Sequence, residues 1–227
     1  MAEAFCVTFH AGESFRGKIA ATSVVIAGWT GRDPTAVQRH IEELEALGVR
    51  GPSTTPVFYH VSASRLTTSD TIEVSGSQTS GEVEFVLLRA DGRLWVGVGS
   101  DHTDRELEKT SVSLSKQICD KPIAPEFWAF DELADHWDDL ILRSHIVTHS
   151  GTRSLYQEGR VTSMLNPSDL LFRWGNGLAE GALMFGGTLS VLGGIRPARR
   201  FEFELSDPPS GRRIVWGYNT VCLPVGV

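Results

Sequence analysis

The sequence lacks paired cysteines, an excess of basic residues and long apolar runs. Its three cysteines are scattered with no Cys-x-x-Cys pair, which favours reduced thiols over a disulfide framework or a structural zinc site. The formal net charge of −7 argues against nucleic acid or an anionic membrane as a partner, because both are bound chiefly through Lys and Arg. No apolar run has the length of a membrane span, and no basic region precedes an apolar one at the N-terminus. We therefore expect a cytoplasmic protein.

Segments that would divide the chain are also missing. The sequence contains no repeat of fixed period, no long linker and no low-complexity window. With 227 residues, of which 41% are hydrophobic and 22% charged, the chain is long enough to bury a sizeable core. The length allows one large domain or at most two small ones, and we expect a single domain that covers residues 1–227.

Short apolar runs bounded by turn residues predict many strands and few helices. Asp91-Gly92 predicts a hairpin between two of these runs, and two strands are expected at Phe5–Phe9 and Lys18–Ala27. Asp33 and Pro34 mark the start of one helix, as N-cap and first helical residue. Because the βαβ alternation of a doubly wound sheet is absent, the pattern predicts an α+β fold with a rolled or barrel-like mixed β core.

Three carboxylates and a lysine form the first candidate site. Glu82 and Glu84 alternate with apolar residues on a predicted strand, so their side chains point the same way. Asp101 follows the next apolar run, and Lys116 comes after it. Together they would suit a hard divalent cation with an ammonium group beside it. The alternative is an exposed strand face, with Asp101 as a turn or cap residue beside a Thr103–Glu106 capping-box pattern.

His40 and Glu43 form the second candidate site. They lie three residues apart on the predicted helix and are therefore neighbours on its surface. Such a pair can be a general base and the carboxylate that orients it. The alternative is the ordinary polarity of a solvated helix face.

The order of these motifs resembles the fumarylacetoacetate hydrolase superfamily over nearly the entire chain. The corresponding segments are Gly31-Arg32-Asp33 with His40 and Glu43, Thr55 to Tyr59, Glu82-Val83-Glu84, Asp101 to Glu106, Ser115-Lys116-Gln117 and the glycine loop from Gly181 to Thr188. The match is closest to a branch of mostly uncharacterised bacterial proteins.

The resemblance implies a role for each matched residue. Glu82, Glu84 and Asp101 would bind a divalent cation, usually Mg²⁺ and sometimes Mn²⁺ or Ca²⁺. Three residues would meet the substrate's carboxylate or oxyanion, namely Lys116, Arg105 and Thr188. His40 and Glu43 would lie on a segment that closes over the site, where His40 activates water. A homodimer is common in the superfamily, and the substrate would be a small oxo acid.

Three departures from the family pattern bear on the substrate. His60 stands where the family has a lysine, and Glu108 stands where it often has glutamine, so both are expected to line the substrate pocket. Leu189 replaces a proline after the glycine loop.

The first hypothesis is a metal-dependent hydrolase that cleaves a carbon–carbon bond in a 2-oxo or β-diketo acid. Two alternatives stay open: a decarboxylase or tautomerase that uses the same site, and a ligand-binding protein that has lost catalysis.

Overall fold

The structure is a computed structural model that describes residues 4–46, 51–52, 54–175 and 177–226, without the side chains of residues 40 and 43–46. The strands are β1 (Ala4–Ala11), β2 (Glu13–Ala20), β3 (Ser23–Gly28), β4 (Val57–Val61), β5 (Leu66–Thr67), β6 (Thr71–Ser75), β7 (Thr79–Ser80), β8 (Val83–Ala90), β9 (Arg93–Ser100), β10 (Thr103–Asp104), β11 (Lys121–Pro122), β12 (Glu126–Ala129), β13 (Ile141–Val147), β14 (Arg153–Arg160), β15 (Ala182–Thr188), β16 (Arg200–Asp207) and β17 (Arg212–Leu223). The α-helices are α1 (Pro34–Ala46), α2 (Arg105–Glu108), α3 (Val112–Gln117) and α4 (Pro167–Trp174), and short 3₁₀ helices cover Ala63–Arg65, Phe130–Glu132, Ala134–Asp139 and Val161–Ser163.

Two mixed sheets account for most of the strands. The larger has eight strands in the order β2-β1-β12-β9-β8-β15-β3-β4, and the smaller has five in the order β14-β13-β16-β17-β6. Parallel pairs such as β3 with β15 lie beside antiparallel ones such as β8 with β9. The expected α+β fold with a rolled mixed β core is confirmed.

The apolar core lies on both faces of the larger sheet. One face packs against the smaller sheet, and β8 contributes Val83, Phe85 and Leu87 to that layer. The other face is concave, since strands from both ends of the sheet meet there, and β8 contributes Val86 and Leu88 to it. Side chains alternate along a strand, so Glu84 shares the concave face with Val86 and Leu88.

Helix α1 begins where the sequence predicts. The Asp33 carboxylate accepts a hydrogen bond from the Thr35 N–H at 2.9 Å, as expected of an N-cap. One strand boundary differs from prediction. The strand expected at Lys18–Ala27 is divided between β2 and β3. Among the described residues, no helix is both long and apolar enough to cross a membrane.

Candidate functional site

The β8–β9 hairpin brings the predicted acidic residues together. Asp91 and Gly92 both have positive φ, at 51° and 68°, as the two central residues of a tight hairpin turn require. The register that follows pairs Val83 with Ser100 at the open end of the hairpin. One step further, the Asp101 N–H donates to the Glu82 carbonyl at 3.0 Å. The turn therefore fixes Asp101 directly opposite Glu82.

Glu82, Glu84 and Asp101 form a compact acidic cluster. One carboxylate oxygen from each lies within 4.8 Å of those from the other two. Glu84 is 2% exposed and Asp101 is fully buried, so the alternative of an exposed strand face does not describe this site. A buried oxygen of Asp101, Oδ1, accepts no hydrogen bond from any described residue. Carboxylate oxygens alone suit the hard cations Mg²⁺, Mn²⁺ and Ca²⁺, and the donor set fits such an ion.

The three carboxylates differ in electrostatic environment. Burial and the nearby Asp101 charge raise the pKa of Glu84 well above its usual value. Burial also raises the pKa of Glu82, although the Arg105 guanidinium opposes that shift. For Asp101, burial is outweighed by the ammonium groups of Lys116 and Lys121, which lower its pKa. The cluster is therefore short of positive charge on the side of the two glutamates, where a divalent cation would supply it.

Lys116 extends from α3 into this cluster. The helix starts at Ser111, whose hydroxyl accepts a hydrogen bond from the Leu114 N–H, and Lys116 is one of its two buried residues. The Lys116 ammonium donates a hydrogen bond to Asp101 Oδ2. Burial favours the neutral amine, but the acidic side chains around it raise the pKa of Lys116. The ammonium also lies 5.7 Å from the centre of the Tyr59 ring, so Tyr59 closes this side of the site.

Arg105 is held on three sides by other side chains. Its Nε donates to Ser80 Oγ at 2.7 Å, and its two terminal nitrogens lie 3.1 Å from Glu82 and 2.8 Å from Glu108. The guanidinium is therefore already paired, and the Glu108 charge faces it.

The capping-box pattern at Thr103–Glu106 does not cap α2. Asp104 caps this helix instead, because its carboxylate accepts hydrogen bonds from two backbone N–H groups.

The glycine loop supports the cluster through its backbone. The Gly187 N–H donates to Glu84 Oε2 at 2.7 Å. Gly187 has φ +100°, and a Cβ there would lie 1.8 Å from Thr30 Oγ1, so both backbone and packing require glycine. Thr188 donates its hydroxyl proton to the Val83 carbonyl and accepts from Gln157, so it links β15 to β8.

The structure does not bring His60 to the acidic cluster. On β4 the side chains of Tyr59 and His60 point to opposite faces, and Tyr59 faces Lys116. His60 packs instead against Trp174 of α4, with 5.3 Å between the ring centres. Its expected place in the substrate pocket is not supported by this geometry. The side chains of His40 and Glu43 lie outside the described part of the chain, so their catalytic roles stay predictions.

Several polar residues at the site were not found from the sequence. Lys121 is fully buried beside Asp101. Gln157 reaches across from the smaller sheet, where its side-chain oxygen accepts from the Val83 N–H at 3.0 Å. Burial lowers the pKa of His102 to about 3, and its Nδ1 lies 2.7 Å from the Tyr218 hydroxyl. No local pattern in the sequence indicates these three residues, since their partners come from distant parts of the chain. Strand alternation on β4 would have indicated only Tyr59.

Comparison with solved structures supports the fold. Yeast ynq8, a fumarylacetoacetate hydrolase family protein, is 17% identical with a TM-score of 0.63, covering 91% of this chain and 95% of that one. The apo form of a 2-keto-3-deoxy-D-arabinonate dehydratase is 14% identical with a TM-score of 0.62, covering 95% and 78%. At these identities the likeness is one of fold, and it confirms the resemblance to the fumarylacetoacetate hydrolase superfamily at that level.

Sequence comparison then gives the family. The chain belongs to the family described as "Protein of unknown function (DUF2848)", whose model matches residues 27–218. Among curated proteins, none matches the chain.

Proposed function

We propose that this protein is a divalent-metal-dependent hydrolase that cleaves a carbon–carbon bond in a small 2-oxo or β-diketo acid. The observation that carries the proposal is the buried cluster of Glu82, Glu84 and Asp101, with the Lys116 ammonium against it. The fold supports the substrate class by analogy, since one protein of this fold is named as a dehydratase of a 2-keto acid.

The charges at the site are consistent with a metal and an anionic substrate. Four carboxylates and three cationic side chains leave a formal charge of −1, which a divalent ion would change to +1. The carboxylates belong to Glu82, Glu84, Asp101 and Glu108, and the cations to Lys116, Lys121 and Arg105. A weakly positive, partly buried site attracts an oxo acid whose carboxylate is ionised at neutral pH.

The bound ion would be held by Glu82, Glu84 and Asp101 and would supply Lewis-acid polarisation of the substrate's oxo group. Lys116 is placed beside this cluster, where its ammonium stabilises the negative charge that develops as the carbon–carbon bond breaks. His40 would take a proton from the attacking water while Glu43 orients its ring. Helix α1 carries both residues. Thr30, which comes shortly before this helix in the chain, lies against Gly187 of the glycine loop, so the start of α1 is close to that loop.

Glu108 restricts the charge of the substrate in this proposal. Glu108 forms an ion pair with the Arg105 guanidinium. The Glu108 side chain is 30% exposed and the Arg105 side chain 12%, so Glu108 lies nearer to solvent. A second substrate carboxylate would meet the Glu108 charge before any free cation. We therefore propose oxo acids with a single carboxylate as substrates.

Glu108→Gln should improve inhibition by 2-oxoglutarate relative to inhibition by 4-methyl-2-oxopentanoate. The control is Glu106→Gln, which lies on the same helix but pairs with the exposed Lys109, and it should leave this ratio unchanged.

The test of the main proposal is turnover of a panel of acylpyruvates with added Mg²⁺, followed by a chelator. We expect hydrolysis that stops when the metal is removed and returns with Mg²⁺ or Mn²⁺. Lys116→Met should lose turnover while retaining metal. Turnover that survives complete removal of divalent ions would contradict the metal role.

A second candidate is decarboxylation or tautomerisation of a 2-oxo acid at the same site. It is favoured by one observation: the described residues at the site are the acidic cluster and Lys116, and these would suffice to stabilise an enolate with a bound cation. Neither reaction requires a base that activates water. His40→Ala separates the two, because loss of hydrolysis with retained decarboxylation is expected only if His40 handles water. Metal binding without turnover of any oxo acid would instead support a ligand-binding protein.

A further inference from the structure

Lys121 is a buried cation that has no place in the mechanism above. It lies on β11, is fully buried, and directs all of its hydrogen bonds to backbone carbonyls. The acceptors are the carbonyls of His102 at 2.6 Å, of Cys119 at 3.0 Å and of Lys116. Asp101 Oδ1 lies 3.4 Å from the same ammonium. An ammonium has three donors, so its hydrogen bonding is complete and it has nothing left for a substrate.

The three carbonyls belong to the two segments that carry the site. His102 follows Asp101 directly, while the Lys116 and Cys119 carbonyls lie at the C-terminal end of α3, where backbone acceptors lack helical partners. A single charged group therefore ties the segment of Asp101 to the helix of Lys116. The oxygen cage around it resembles the coordination of a bound monovalent cation.

Asp101 is consequently shared between two ammonium groups with different surroundings. Lys116 donates a hydrogen bond to Oδ2, and the Lys121 ammonium lies 3.4 Å from Oδ1. Burying a second cation is costly, and its hydrogen bonds to three carbonyls offset part of that cost. The two ammonium groups contact both oxygens of the Asp101 carboxylate and so limit its orientation towards Glu82 and Glu84.

We propose that Lys121 is a positioning residue that acts as a built-in cation: it fastens Asp101 and α3 together and so prepares the acidic cluster to bind a divalent ion. This inference rests on the proposed metal site. It concerns neither substrate nor proton transfer, and the group acts only through Asp101 and Lys116.

The test is Mn²⁺ binding to the full chain, measured by electron paramagnetic resonance. Lys121→Met keeps most of the side-chain volume and removes the charge, and we expect it to weaken Mn²⁺ binding by about 10- to 100-fold, as removal of an outer support of a metal ligand does. The matched control is Lys109→Met, because Lys109 is exposed and pairs only with Glu106 among the described residues. It should bind Mn²⁺ like the wild type.

Chemical rescue distinguishes a cation site from simple packing. In Lys121→Ala the cage has room for a small ion, so ammonium or methylammonium should restore Mn²⁺ affinity, whereas it should not in Lys121→Met. Wild-type affinity in a folded Lys121→Met would overturn the proposal, as would loss of affinity in Lys121→Ala that ammonium does not restore. Failure of both variants to fold, even with ammonium, would also overturn it by showing that Lys121 serves the fold alone. Wild-type protein that binds no Mn²⁺ would instead refute the metal site itself.

Discussion

Two buried carboxylates in this protein have opposite surroundings. Asp207, at the end of β16, is fully buried, and its oxygens accept hydrogen bonds from Ser210 at 2.7 Å and from Arg212 at 3.0 Å, with His136 Nε2 at 3.0 Å. Burial would raise its pKa, but these partners lower it below its usual value. Asp207 is therefore a carboxylate whose charge the protein already neutralises.

Glu84 is nearly as buried, but its carboxylate has a single hydrogen bond among the described residues, from the Gly187 N–H. Burial and the Asp101 charge raise its pKa well above the usual value. A structural carboxylate such as Asp207 has its charge neutralised within the fold, whereas a carboxylate prepared for a ligand, such as Glu84, requires a positive charge from outside.

The largest effect is expected from removing the charge of Glu84. Glu84→Gln should weaken Mn²⁺ binding by more than the roughly 100-fold that loss of an outer support costs, because a ligand itself is lost. Its stability without metal should not fall, since a buried amide is cheaper to desolvate than a carboxylate. Asp207→Asn is the control for metal binding and should keep Mn²⁺ affinity. Equal Mn²⁺ affinities for Glu84→Gln and wild type would show that Glu84 is not a metal ligand.

The next effect concerns stability at Asp207. Asp207→Ala should lower the free energy of unfolding by about 3 kcal/mol, because Ser210, Arg212 and His136 lose the buried carboxylate with which they hydrogen bond. Urea unfolding in the presence of a chelator measures this. Glu84→Gln serves here as the stability control, and a loss in that variant as large as in Asp207→Ala would mean that both carboxylates are structural.

Metal addition should stabilise the protein only where the Glu84 carboxylate is intact. At a Mg²⁺ concentration about 100 times the dissociation constant, linkage predicts about 2.7 kcal/mol of added stability. For a chain of this length, each kcal/mol corresponds to a rise of about 2–4 °C in melting temperature. Differential scanning fluorimetry should show the rise in wild type and in Asp207→Asn but not in Glu84→Gln.

The smallest effect is expected in the pH dependence of stability without metal. The lowered pKa of Asp207 means that its contribution is present above its unfolded pKa, about 3.9, and is lost as pH falls through its folded pKa. The raised pKa of Glu84 means that stability falls as pH rises from its unfolded pKa, about 4.3, through its folded pKa.

Each carboxylate is therefore assessed as a difference from wild type, because the lowered pKa of His102 also costs stability as pH falls below its unfolded value, about 6.5. Asp207→Asn should reduce the loss of stability on the acid side, and Glu84→Gln should remove the part of the loss on the alkaline side that Glu84 causes. Saturating Mg²⁺ should also remove the alkaline loss in wild type. A wild-type profile that Mg²⁺ leaves unchanged would contradict an ion at Glu84.

Local rules of the chain accounted for much of the site. The Asp91-Gly92 turn and the alternation of side chains along β8 placed Glu82 and Glu84 on one face, and Asp33 marked the start of α1. These features depend on neighbouring residues only, and a sequence displays neighbours directly. The same rules failed between Lys18 and Ala27, where nothing local marks the change from β2 to β3.

The sequence by itself therefore determined the strand-rich fold class and the pairing of Glu82 with Glu84. Tertiary structure alone decided which charges are satisfied. It paired Glu108 with Arg105, packed His60 against Trp174, and placed the Lys121 ammonium beside Asp101. The physical reason is that desolvation and hydrogen bonding depend on which groups surround a side chain in space, and those groups come from distant parts of the chain.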